Sequence, residues 1–135
     1  MPRSYTIARG VLALAAAGFL GFGLAFLVWP LPTARVVDIV LPTADARVDF
    51  LATYGGFEIG FGAFLLVCLR RPQRVRLGLL ASGCALAGFA LARAIGIVTA
   101  GPVGPVIYGA LALELVGTAL SFGAARVAAR GSEPA

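Results

Sequence analysis

The chain has 135 residues, 60% of them hydrophobic and only 13% charged. A soluble domain carries about 25% charged residues, so this composition excludes an ordinary soluble fold and predicts a single integral membrane domain spanning residues 1–135. The net charge is +5, but all the arginines except Arg93 flank apolar runs and anchor helices to headgroups, which excludes nucleic acid as the partner.

Four runs are long enough to cross about 30 Å of hydrocarbon at about 1.5 Å per residue. The first extends from Ala8 to Trp29 and is closed by Pro30 and Pro32. Arg3 and Arg9 stand ahead of its apolar stretch in the manner of a signal peptide, but that stretch is too long for the apolar core of one and no small-x-small cleavage site follows. A retained helix is the expectation. The connection from Pro30 to Val48 is too long for a simple turn; its Thr33–Leu41 stretch is weakly amphipathic and is expected to lie along the membrane surface. Thr43 is placed to cap an early start of the second helix.

The second span runs from Asp49 to Leu69 and the third from Arg76 to Val98. The fourth covers Pro105 to Ala125, with its proline suited to a first helical turn. Thr99–Gly104 reads as a tight turn between the last two. The expected fold is an all-α, four-transmembrane-helix bundle. Among its many glycines, Gly56 and Gly60 form a small-xxx-small pair that lets backbones approach closely. Packing within the monomer is the first reading of that pair, and a homodimer interface the second. Cys68 and Cys84 lie on different segments, form no paired dithiol and are read as small packing residues.

Orientation follows from arginine positions. Arg3 and Arg9, then Arg70, Arg71, Arg74 and Arg76, then Arg126 and Arg130 fall on one side; Arg35 and Arg47 fall on the other, offset by Asp38, Asp45 and Asp49. Both termini are therefore expected to be cytoplasmic. Every basic residue is arginine, which points to a GC-rich bacterial genome and hence to the bacterial cytoplasmic (inner) membrane.

Three ionisable residues interrupt the spans: Glu58, Arg93 and Glu114. A charge at the centre of a membrane helix costs about 2.5–3.5 kcal/mol on the insertion scale, so such residues normally meet partners inside a bundle. Side chains lean towards the N-terminus of their own helix; the second and fourth helices start outside and the third inside. All three heads are therefore expected to converge in one layer of the outer half. Helical phase puts Tyr54, Gly55, Phe61, Gly62 and Leu65 on the Glu58 face, and Gly117, Thr118 and Ser121 on that of Glu114. The two hydroxyls are expected to bond back to their own helix carbonyls. One arginine cannot neutralise two carboxylates, so one acid should keep its proton or a cation should complete the site. Glu114, with mostly apolar neighbours, is the expected proton holder.

The second-helix run Ala52-Thr53-Tyr54-Gly55-Gly56-Phe57-Glu58-Ile59-Gly60-Phe61-Gly62 resembles the hallmark of a bacterial membrane family known as domain of unknown function 4345. Ala92-Arg93 with Gly96, and Glu114 with Gly117, match the remainder of its pattern. A basic residue often stands three positions before the tyrosine in that family, and Leu51 stands there here. The resemblance implies a four-helix integral membrane protein and carries no established activity.

Three functions fit these residues. The first is a protein that binds or transports a small molecule, a lipid or a proton, with Glu58, Arg93, Glu114, Tyr54 and Tyr108 lining its site. The second is a structural or accessory membrane subunit whose charges only fix helix packing. The third is an intramembrane enzyme with a glutamate acting as general acid. No Ser–His, Cys–His or metal constellation supports a hydrolase, and with histidine absent neither a metal site nor a cofactor is expected. The expected partners are the lipid bilayer and a small-molecule, lipid or cationic ligand.

Overall fold

The computed structural model describes residues 3–130. The Arg3 and Arg130 side chains, which entered the arginine balance above, lie outside the described residues. The elements are α1 (Arg3–Val28), α2 (Pro30–Val36), α3 (Ala44–Phe50), a π-helical segment (Leu51–Gly56), α4 (Phe57–Leu69), a 3-10 turn (Pro72–Arg74), α5 (Val75–Ala100) and α6 (Pro105–Arg130). Four helical stretches are long and apolar enough to cross a membrane: Tyr5–Val28, Ala44–Leu69, Pro72–Ala100 and Pro105–Ala129. The described residues contain no strand. This is the all-α, four-span architecture that the apolar runs predict.

The ends of the elements follow from local chemistry. Thr43 has extended backbone and its hydroxyl accepts the Ala46 N–H at 3.1 Å, which starts the second span at Ala44. The helix of the first connection forms earlier than Thr33–Leu41: it begins at Pro30, because a proline in the first turn loses no helical hydrogen bond, and it stops at Val36. Asp38 follows in the left-handed region at φ 56°. The third span runs on to Ala100 and is terminated by Gly101 at φ 88°, a conformation that glycine adopts without steric cost. The turn is thus confined to the residues after Ala100.

In cross-section α1 occupies the middle position, against α4, α5 and α6; α4 and α6 lie apart on either side of the α1 and α5 pair. One stripe of α1, Ala8, Leu12, Ala16 and Phe19, is buried against Leu65 and Cys68 of α4, Val75 and Leu79 of α5, and Ala124 and Ala125 of α6. That spacing of four, four and three presents a single helix face. At the opposite end Ala34, Leu41 and Phe50 form a second cluster with Phe26, tying the α2 connection to the bundle. Elsewhere large apolar side chains point outward, as with Leu14, Leu91 and Val98, which is the surface a bilayer requires.

The α1–α4 contact is built on glycine. A Cβ at Gly23 would lie 2.9 Å from the Ile59 backbone nitrogen and from Glu58 Cβ, and one at Gly62 would lie 2.7 Å from Leu20 Cγ. Gly56 and Gly60 are instead exposed, and a Cβ on Gly60 would meet nothing within 4 Å. The small-xxx-small pair therefore takes no part in packing within the monomer. The cysteines also divide: Cys68 is buried against Gly78, while Cys84 is exposed on the outside of α5, and both are free.

Candidate functional site

Arg93 and Glu114 meet directly. Arg93 Nε donates to both Glu114 carboxylate oxygens at 3.1 and 3.0 Å, and Nη2 donates to Oε1 at 2.7 Å. This is the two-pronged guanidinium–carboxylate geometry that gives charge-assisted bonds their strength and directionality. Glu114 is 6% exposed, and the Arg93 side chain keeps 28%. The opposed leans of α5 and α6, which run antiparallel, bring the two heads to one level, as the sequence predicts.

Glu58 does not join them. Its helix, α4, is separated from α6 by α1 and α5, and Glu58 leaves its backbone beside Gly23 of α1. Among the described residues it has no hydrogen bond or ion pair, and it is half-buried. The expected three-membered cluster is therefore a pair plus a separate acid. The charge balance changes accordingly: Glu114, expected to be the proton holder, is the anionic half of an ion pair. Of the two glutamates, the one without a cationic partner among the described residues is Glu58.

The two tyrosines are placed differently from each other. Tyr54 stacks on Phe50 at 4.8 Å between ring centroids, meets Phe26 edge-on at 5.7 Å, and lies within electrostatic range of the Arg93 guanidinium. It is nonetheless 41% exposed, and Tyr108 is 49% exposed, so neither walls in an enclosed chamber. The polar stripe below Glu114 splits as well. Thr118 donates back to the Glu114 carbonyl at 2.7 Å, as expected, whereas Ser121 lies 3.1 Å from the Ser82 hydroxyl, bridging α6 to α5. Among the described residues no group of three His, Cys, Asp or Glu side chains is placed to hold a metal ion.

Sequence reasoning missed the backbone around Tyr54. Leu51–Gly56 forms a π-helical turn, in which the N–H of Phe57 bonds to the carbonyl of Ala52, five residues back. Such wide turns inside α-helices are rare and frequent at functional sites. Here the segment ends two residues before Glu58. The two adjacent glycines, Gly55 and Gly56, were the one available hint, since they weaken the α-helical preference locally.

Fold and site together define a multi-pass, four-helix membrane protein with an Arg–Glu pair within its spans and a further acid, Glu58, that has no partner among the described residues. The model of the domain of unknown function family DUF4345 matches residues 7–125, and the chain belongs to that family. Neither the comparison with curated proteins nor that with solved structures gave a match.

Proposed function

We propose that this protein binds a proton or a small cationic molecule in the outer half of the bacterial cytoplasmic membrane, with Glu58 as the group that receives it. The observation carrying this reading is that Glu58 lies within a membrane span with no partner among the described residues. An unpaired carboxylate is costly there, so it is retained where it takes up a proton or a cation. The π turn at Tyr54 adds weight, since it widens the helix next to that acid. Arg93 and Glu114, already neutralised by each other, serve as a fixed wall with Tyr54 in electrostatic range.

A hydrophobic carbodiimide, which reacts with protonated carboxyls in apolar surroundings, tests this. Mass spectrometry of treated protein should find the adduct on the peptide carrying Glu58 and not on that carrying Glu114, and Glu58→Gln should abolish it. An adduct on Glu114 in place of Glu58 would sink the assignment.

A second reading, a structural or accessory subunit, is favoured by the Arg93–Glu114 bridge itself, which clamps α5 to α6. On that reading Glu58→Gln leaves every function of the protein intact.

The proposed orientation places both termini in the cytoplasm, from the arginine excess at the end where α1 begins and α6 finishes. Engineered cysteines at positions 74 and 45 check it: a membrane-impermeant thiol reagent added from outside should label the second and spare the first. Labelling of position 74 alone would invert the topology.

A further inference from the structure

At the end of the bundle away from the ion pair, α5 and α6 border an open cleft of about 460 Å³ lined by Arg76, Leu80, Phe122, Ala125, Arg126 and Ala129. The volume is in the range of small-ligand sites. Its lining combines two cations with an apolar wall. Phe122 forms part of that wall because its ring lies over Gly83, where a Cβ would come within 2.9 Å of it. Nothing among the described residues neutralises the two arginines. The five described acids, Asp38, Asp45, Asp49, Glu58 and Glu114, all belong to the outer loop or the outer halves of the spans, and the sixth, Glu133, lies outside the described residues.

We infer that this cleft is a binding site for an anionic phospholipid. The headgroup phosphate sits between the Arg76 and Arg126 guanidinium groups, and an acyl chain follows Leu80 and Phe122 along the α5–α6 seam. Both requirements are met at one place: guanidinium groups pair with phosphate oxygens by two parallel bonds, and basic pockets between membrane helices suit acidic headgroups. A zwitterionic lipid brings its own cation and gains less. The site is distinct from Glu58 and stands whether or not that acid takes up a proton.

Native mass spectrometry of the full chain in detergent, with equal amounts of phosphatidylglycerol and phosphatidylcholine, tests the inference. Wild type should retain phosphatidylglycerol preferentially. Each arginine near a charged headgroup contributes about fivefold in affinity, so R76Q/R126Q should weaken phosphatidylglycerol binding about thirtyfold. R70Q/R71Q removes the same net charge outside the cleft and should weaken binding far less than R76Q/R126Q does. If the double variant does not fold, R76Q and R126Q singly should each show the fivefold loss. Glycerol 3-phosphate, the soluble headgroup fragment, should not displace the lipid at equal concentration. The inference is overturned by equal retention of the two lipids, by an equal loss in R70Q/R71Q, by unchanged binding in R76Q/R126Q, or by glycerol 3-phosphate binding as well as the lipid.

Discussion

Replacing Arg93 with leucine is expected to lower stability in detergent by about 3 kcal/mol, the lower end of the cost of removing one partner from a buried ion pair. The physical cause is the orphaned Glu114 carboxylate, which loses all three of its guanidinium hydrogen bonds while remaining 6% exposed. Glu114→Gln in the same chain removes the stranded charge and should recover part of the loss. Glu58→Gln should recover none, because Glu58 stands on the far side of α1 and α5 and shares no hydrogen bond with the pair. Thermal unfolding of the four proteins in one detergent checks this. Rescue by Glu58→Gln equal to that by Glu114→Gln would show that the three charges form one network after all.

Gly23→Ala should be the second large effect. The added methyl would sit 2.9 Å from the Ile59 backbone nitrogen, and backbone cannot swing aside as the end of a flexible side chain does. Forcing α1 and α4 apart costs about 1–3 kcal/mol, as for other overpacked sites. Gly60→Ala meets open space and replaces a poor helix former with the best one, so it should be neutral or stabilising by up to about 1 kcal/mol. The same unfolding assay applied to both variants reads the contrast. An equally large loss at Gly60 would mean that the exposed face of α4 is covered by another copy of the chain.

These two positions also show what can be read from sequence and what cannot. The spans were legible because hydropathy and length are properties of contiguous residues, and Thr43 and Gly101 mark their ends by local chemistry. The Arg93–Glu114 contact was legible because the two helices are consecutive, joined by a short turn and antiparallel, so depth and lean suffice to bring the heads together. Glu58 was placed wrongly for a geometric reason. Its phase and depth are compatible with the pair, but the order of helices around the bundle decides who its neighbour is, and that order is set by the sum of many small contacts. With α1 in the middle, Glu58 faces Gly23. The glycines of the second span were ambiguous for a similar reason: Gly55, Gly56, Gly60 and Gly62 together cover both sides of the helix, and only the position of α1 selects Gly55 and Gly62 as the packed ones.

The wide turn at Leu51–Gly56 behaves as a spare residue stored inside a continuous rod. An α-helix advances its side chains by about 100° per residue, so accommodating a surplus position without breaking the rod re-aims everything on one side of it relative to the other. The segment before the surplus, α3, must direct Phe50 into the cluster with Ala34 and Leu41. The segment after it must direct Gly62 and Leu65 towards α1. A uniform helix would have to satisfy both demands with one rotation; the stored residue uncouples them. The α3 end and the remainder of this span therefore take their rotations independently of each other, and Tyr54 sits at the joint where the two settings meet.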